Sequence, residues 1–187
     1  MAADELVDWV DEDDRVIGQV TRARMRAENL LHRCIAVLCC DSAGSVYAHR
    51  RSDAKDMFPG LYDMFVGGVV GAGESYDAAA RREIGEELGI VGPIPQPLFR
   101  HRYEGEASRS HTAVYRVSWD GPITHQESEI AWGGLRTLQE LAEGPEGWSF
   151  VPDGREIFER LLRERLPLPG APGAPEIRKN ASRGGET

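Results

Sequence analysis

The stretch that decides the fold is GGVVGAGESYDAAARREIGEELGI, residues 67–90, in which four glycines precede a segment that ends in three glutamates. Residues 77–88 are predicted to be helical. Glu83 and Glu87 then lie one turn apart with Glu86 beside them, because positions i, i+3 and i+4 share a helix face. Like charges at this spacing destabilise an isolated helix and raise one another's pKa. A divalent cation such as Mg²⁺, which prefers oxygen ligands, would compensate for them.

The other positions of this stretch fit the same interpretation. Ile84 and Leu88 form an apolar stripe that can dock onto a sheet, and Arg82 can offer its guanidinium group to a carboxylate such as Glu74. The glycines permit a tight loop whose backbone approaches a metal ion or a phosphate. A solvated acidic helix face is the alternative, and charge composition alone favours it.

Composition sets the limits of the molecule. The chain has 187 residues, of which 41% are hydrophobic and 28% charged, as in an ordinary globular protein. We expect a single domain over residues 1–166, and a disordered tail over residues 167–187, which are rich in Pro, Gly and Ser. The formal net charge of -9 argues against binding to a nucleic acid polymer. An anionic substrate would therefore need local basic groups or a metal ion.

Membrane insertion and export are not expected. The longest apolar run, residues 34–40, is far shorter than the roughly 20 residues that span a bilayer. The acidic N-terminus lacks the basic and then apolar order of a signal peptide, so we expect a cytoplasmic protein. Three cysteines without CxxC spacing, Cys34, Cys39 and Cys40, indicate small core residues rather than disulfides or a zinc site.

Strand and helix patterns alternate along the chain and indicate an α+β or α/β sandwich. Residues 5–20 are predicted to form a β-hairpin that extends a sheet or contributes to a homodimer interface. A helix over residues 152–166 is expected to begin with Asp153 as its N-cap. Further strands are predicted at residues 30–40, 45–51, 97–104 and 110–119, with a loop over residues 52–66.

The full spacing of the glycine and glutamate stretch resembles the box that defines the Nudix hydrolases. All nine fixed positions of that box are matched, by Gly68, Glu74, Arg82, Glu83, Ile84, Glu86, Glu87, Gly89 and Ile90. The resemblance implies an α/β/α sandwich with a mixed sheet, to which the N-terminal hairpin is added. It also implies hydrolysis of a small molecule in which a nucleoside diphosphate is linked to another moiety.

The same resemblance implies roles for the matching positions. Glu83, Glu86 and Glu87 would bind Mg²⁺ or Mn²⁺ with Gly68 as a backbone ligand. Arg82 and Glu74 would brace the site, and Gly89 would support it at the helix end.

The general base varies among Nudix hydrolases, so Glu83, Glu127 and Glu129 all remain candidates. Glu129 best fits the acidic position that precedes a W-x-x-L segment, here Trp132 to Leu135. An exposed loop charge is the alternative interpretation of Glu129.

The flanks over residues 7–63 resemble isopentenyl-diphosphate isomerases, which implies that Arg51 and Lys55 bind a substrate diphosphate, although either could be a solvated surface residue. Gly67 stands where the isomerases have their catalytic cysteine. Val69 and Met25 replace two metal-binding histidines, and His32 matches a third. Hydrolysis is therefore the favoured hypothesis. Isomerase activity and a non-catalytic module that binds a nucleotide derivative are the alternatives.

Overall fold

The computed structural model describes residues 4–165, so the predicted tail lies outside the described part of the chain. No helix within this part is long and apolar enough to cross a membrane. The elements, in chain order, are β1 (Leu6–Val10), β2 (Val16–Thr21), α1 (Arg22–Ala27), β3 (His32–Cys40), β4 (Val46–Arg51), β5 (Tyr62–Asp63), β6 (Val66–Val69), α2 (Tyr76–Leu88), β7 (Gln96–Glu104), β8 (Arg109–Ser118), β9 (Ile130–Arg136), α3 (Leu138–Glu143) and α4 (Pro152–Arg163).

Strand β3 carries the centre of the core because both of its faces are covered. Successive side chains of a strand point to opposite faces. Ile35 and Val37 belong to the cluster formed with α2, whereas Ala36 and Leu38 belong to the cluster formed with α3 and α4. The sheet therefore lies between two helical layers, which confirms the predicted α/β/α sandwich.

The sheet is mixed, as predicted. β3 pairs in parallel with β8 from His32↔Ser110 to Cys40↔Ser118, and antiparallel with β6. β7 pairs antiparallel with β8, and β4 with β9. The predicted hairpin of β1 and β2 is confirmed, and it joins β3 through Trp9↔His32, so it extends the sheet.

Two features of the sequence-based prediction need correction. Asp153 is not the N-cap of the last helix, because Val151 occupies that position and Pro152 is the first helical residue. The missing N–H of proline suits this position, where it would have no partner within the helix. The loop over residues 52–66 contains the short strand β5, and the prediction omitted β6, β9 and α3.

Helix α2 is held at both ends. Ser75 is its N-cap and accepts a hydrogen bond from the backbone N–H of Ala78 at 3.2 Å. Gly89 ends the helix with a φ of 67°, a left-handed conformation that glycine adopts without steric strain. These two caps fix the part of the helix that carries the glutamates.

Candidate functional site

The three glutamates of α2 differ in their exposure. Glu83 and Glu87 are each only 5% exposed, whereas the side chain of Glu86 is 52% exposed. The carboxylates of Glu83 and Glu87 are thus buried beneath α2, whereas that of Glu86 is accessible to solvent.

Burial governs the protonation of the two inner carboxylates. Burial, followed by the neighbouring carboxylates of Glu83 and Glu129, raises the pKa of Glu87 to about 8, against the opposing effects of Lys55 and Arg51. Burial also raises the pKa of Glu83. Two poorly solvated carboxylates that repel each other need a cation.

Arg82 supplies part of the missing positive charge. Its Nε and Nη2 donate to the two carboxylate oxygens of Glu74, each at 3.0 Å. Its Nη1 donates to Glu83 at 2.7 Å and to Glu86 at 3.2 Å. Glu74 in turn accepts from the backbone N–H of Gly71 at 3.0 Å. Arg82 therefore ties the glycine loop to the glutamates.

The donor set suits a hard divalent cation, because carboxylate and carbonyl oxygens are the ligands that Mg²⁺ prefers. Within residues 4–165, no three His, Cys, Asp or Glu side chains already lie in metal-binding geometry. Glu83 and Glu86 instead face Arg82, so metal binding requires their carboxylates to turn away from the guanidinium group.

Two glycines of β6 allow the close approach of its neighbours. A Cβ on Gly68 would lie 2.7 Å from Oε1 of Glu83, so a larger residue would displace this carboxylate. A Cβ on Gly67 would clash with the carbonyl oxygen of Ile35 on the paired strand. The backbone at the position of the isomerase cysteine thus has no room for a thiol side chain.

The loop before β9 reaches the C-terminal end of α2. The backbone N–H of Gln126 donates to the carbonyl of Glu87 at 3.1 Å. Glu129 is partly buried and forms an ion pair with Lys55, whereas Glu127 is exposed. Of the two loop candidates for the general base, the structure brings Glu129 to the carboxylates of α2.

Arg51 and Lys55 line a cavity of about 130 Å³. Arg51 donates from Nε and Nη2 to the carbonyl of Met57, which holds the loop after β4. Gly68 belongs to the same lining and adjoins Glu83, so the cavity lies next to the glutamates.

Four further charged residues of the cavity were missed by sequence reasoning: Arg22, Arg26, Asp63 and Asp153. The spacing of Arg22 and Arg26, one turn apart in a helix-prone stretch, was the available signal.

Among the described residues, His32 belongs to no group of three or more side chains that could hold a metal ion. Met25 and Val69, which occupy the other two histidine positions of the isomerases, pack with Val7 and Val20 in a hydrophobic cluster. Burial lowers the pKa of His32 to about 4, and its Nδ1 lies 2.9 Å from the carbonyl oxygen of Leu30. His32 is a buried, neutral side chain.

The chain has extensive sequence relatives. Residues 30–159 match the family model of the NUDIX domain. An uncharacterised Nudix hydrolase of Streptomyces coelicolor is 51% identical over 163 residues, which cover 86% of this chain and 90% of the relative. An uncharacterised Nudix hydrolase of Rhodococcus erythropolis is 40% identical and covers 83% of this chain and 91% of its own length.

Solved structures share the fold. The protein DR0079 of Deinococcus radiodurans superposes with a TM-score of 0.73 at 30% identity, covering 83% of this chain and 98% of its own. The NUDIX domain of NrtR from Shewanella oneidensis, solved with ADP ribose, gives a TM-score of 0.57 at 18% identity over 79% of this chain and 99% of its own.

Proposed function

The chain belongs to the Nudix hydrolase family as a pyrophosphohydrolase, and we propose that it cleaves a nucleoside di- or triphosphate or a nucleotide derivative with the help of Mg²⁺ or Mn²⁺. One observation carries the proposal. The buried carboxylates of Glu83 and Glu87 lie beside a cavity lined by basic side chains. Carboxylates suit a divalent cation and basic groups suit a phosphate, and a pyrophosphate hydrolase needs both.

Glu83, Glu86 and Glu87, with the carbonyl of Gly68, would hold the cation. When bound, it would neutralise charge on the pyrophosphate and lower the pKa of a water molecule. The residues of the chain supply positioning, which is the main protein contribution to phosphoryl transfer.

Arg51 and Lys55 would bind and orient the phosphates. The oxygen of a water molecule attacks phosphorus in line, its proton passes to a glutamate, and the anhydride P–O bond breaks.

Three glutamates remain candidates for the base: Glu83, Glu127 and Glu129. The ion pair with Lys55 and the nearby loop contact with α2 support Glu129. The test compares the pH profiles of kcat for Glu83→Gln, Glu127→Gln and Glu129→Gln. The general base is the glutamate whose replacement abolishes the rise of kcat with pH. If the pH profile of Glu129→Gln equals that of the wild type, Glu129 is not the base.

A hydrolysis screen tests the proposed substrate class. Nucleoside diphosphates, triphosphates, nucleotide sugars and dinucleotides are incubated with Mg²⁺ or with EDTA, and the products are identified. We expect cleavage at a pyrophosphate bond with Mg²⁺ and none with EDTA. Equal rates in EDTA, or turnover only of compounds without a pyrophosphate, would overturn the proposal.

The two alternatives receive less support. An isomerase needs a thiol where Gly67 has no space for a side chain, and Met25 and Val69 replace its metal-binding histidines. A non-catalytic binding module would bind members of the same panel without turnover.

Two further expectations remain proposals. The predicted compartment is the cytoplasm. A homodimer could form through the outer strand of the N-terminal hairpin, where Val16 and Ile17 are about half exposed at the edge of the sheet. Molar mass in solution, compared between the wild type and Ile17→Lys, tests the dimer.

A further inference from the structure

The cavity beside the glutamates concentrates positive charge. Its lining includes Arg22 and Arg26 from α1, together with Arg51 from the end of β4 and Lys55 from the loop that follows. Lys55 pairs with Glu129, and Arg51 donates to a backbone carbonyl. The two arginines of α1 have weaker partners.

Arg22 is a buried cation with unsatisfied donors. It is only 9% exposed, and its Nε and Nη1 have no hydrogen-bond partner within the described part of the chain. The nearest carboxylate oxygen, Oε2 of Glu5, lies 4.0 Å from Nη1, too far for a hydrogen bond.

Arg26 is in a similar position. Its Nε and Nη1 are also buried without a hydrogen bond among residues 4–165. Nη1 lies 2.9 Å from Oδ2 of Asp56, in an orientation that makes an ion pair but no hydrogen bond, and the side chain of Asp56 is 62% exposed.

The positive charges of Arg22, Arg26 and Arg51 lower the pKa values of neighbouring basic groups. Burial lowers the pKa of Arg26, and the charges of Arg22 and Arg51 lower it further, against the attraction of Asp56. Arg26 and Arg22 also contribute to the lowered pKa of His32, after its burial. A buried cation whose donors lack partners is strongly unfavourable, so an anion in the cavity would stabilise the arrangement.

We propose that Arg22, Arg26 and Arg51 form a clamp for the free terminal phosphoryl group of the substrate. This inference rests on the proposed function and narrows its substrate class. A cavity of about 130 Å³ is small beside the roughly 300–1,000 Å³ of sites that enclose a drug-sized ligand. It therefore suits a phosphoryl group rather than a whole nucleoside.

The charge of the cavity also favours a substrate that ends in a phosphoryl group. A nucleoside di- or triphosphate ends in a free phosphoryl group whose oxygens accept from guanidinium donors. A nucleotide sugar or a dinucleotide carries a sugar on both sides of its diphosphate, so it has no terminal phosphoryl group that could enter the small cavity and accept from Arg22 and Arg26. The substrate class is thus the nucleoside di- and triphosphates.

Two carboxyl groups, Asp63 and Asp153, line the same cavity. Burial raises the pKa of both, and the charge of Arg51 partly opposes the rise. A protonated carboxyl donates a hydrogen bond to a phosphoryl oxygen, and Oδ1 of Asp153 is buried without a partner in the described part of the chain. These carboxyl groups are therefore compatible with a bound phosphoryl group.

The clamp is tested first without catalysis. Calorimetric titration with inorganic pyrophosphate, in EDTA, compares the wild type with Arg22→Gln and Arg26→Gln. The matched control is Arg24→Gln, because Arg24 lies on the same helix, is 54% exposed and pairs with Glu28. We expect each clamp variant to bind at least about 10-fold more weakly, and the control to stay within about 2-fold.

A stability measurement separates loss of binding from loss of folding. Arg22→Met removes a buried, poorly paired charge, so its Tm without ligand is expected to equal or exceed that of the wild type while pyrophosphate binding is lost. If Arg22→Met unfolds, Arg26→Gln decides the question through its own binding constant.

Kinetics then test the substrate choice with ADP and ADP-ribose. We expect the wild type to have the higher kcat/KM for ADP. Arg22→Gln should raise the KM for ADP about 10-fold and leave that for ADP-ribose within about 3-fold. A wild-type preference for ADP-ribose, or equal losses for both compounds, would refute the clamp.

The two proposals can fail separately. Pyrophosphate binding that depends on Arg22 and Arg26 in a protein without hydrolytic activity would support the clamp and contradict the proposed function. Hydrolysis by a protein whose pyrophosphate binding does not depend on Arg22 and Arg26 would support the proposed function and contradict the clamp.

Discussion

At the residue scale, the glycines of β6 decide what the site can hold. Gly68 lets the carboxylate of Glu83 lie against the backbone of the strand, and Gly67 lets β6 approach β3. Both requirements come from contacts between segments far apart in the sequence. The box spacing identifies Gly68, whereas the steric reason for Gly67 is visible only in the folded chain.

Gly67→Cys is expected to destabilise the fold without creating isomerase activity. The added Cβ would clash with the carbonyl oxygen of Ile35, so the backbone must shift, and we expect a loss of at least about 2 kcal/mol in the free energy of unfolding. Urea denaturation measures this loss, and a double-bond migration assay with isopentenyl diphosphate tests the activity.

The control for Gly67→Cys is Gly85→Ala. A Cβ at Gly85 meets only the carbonyl oxygen of Ile90, at 3.8 Å, so alanine in this helix should stabilise the protein by about 0.5–1 kcal/mol. Wild-type stability in Gly67→Cys would contradict the steric account.

Asp63→Asn is expected to change how stability depends on pH. Burial, followed by the charge of Asp153, raises the pKa of Asp63 from 3.8 to about 7. At this group the folded state therefore binds more protons than the unfolded state between these values, so the contribution of Asp63 to the free energy of unfolding falls as the pH rises from about 4 to 7.

Asparagine removes this dependence and keeps an oxygen that can accept from the backbone N–H of Phe65, as Asp63 does at 3.0 Å. Relative to the wild type, the variant should gain about 1–4 kcal/mol between pH 4 and pH 8. Urea denaturation at the two values measures the gain. Parallel stability curves for the two proteins would contradict the raised pKa.

At the element scale, α2 could be predicted from the sequence because its signals are local. The apolar stripe, the Ser75 cap and Gly89 all lie within one short segment. The N-cap of α4 was predicted wrongly because Asp153 and Glu156 imitate a capping box, whereas the helix begins at Pro152 and its N-cap, Val151, lies two residues before Asp153. The capping box of α3, formed by Thr137 and Glu140, was an available signal that the prediction did not use.

Ser75→Ala is expected to lower the free energy of unfolding by about 1 kcal/mol, because it removes the hydroxyl that accepts from the N–H of Ala78. Ser75→Asp is the matched control and should retain the cap. Thermal unfolding measures both variants. Equal losses in the two would show that the cap contributes nothing.

At the scale of the whole molecule, the site combines parts that are distant in the sequence. Arg22 comes from α1, Asp63 from β5 and Asp153 from α4, yet all line one cavity. The parallel pairing of β3 with β8 is equally non-local. Sequence patterns predict most of the elements, and the family resemblance implies the α/β/α layers. Neither specifies which loops converge, and for this reason four of the six charged residues of the cavity were missed.

Phe158→Ala tests how much the packing of α4 against the sheet contributes to the free energy of unfolding. The side chain of Phe158 is fully buried against the sheet, in the cluster that includes Leu38, so its truncation should lower the free energy of unfolding by about 3–5 kcal/mol. Glu159→Gln, on the exposed side of the same helix, should change it by less than about 0.5 kcal/mol. A loss below about 1 kcal/mol in Phe158→Ala would contradict the described packing.

The central claim is that the glutamates of α2 hold a divalent cation for pyrophosphate hydrolysis. Its most direct test is the initial rate of hydrolysis by Glu86→Gln with Mg²⁺, on the best substrate of the wild type. Glutamine preserves the shape and removes the charge of the most exposed glutamate of α2, so we expect a loss of at least about 100-fold, with Glu159→Gln unchanged. A wild-type rate in Glu86→Gln would contradict the account.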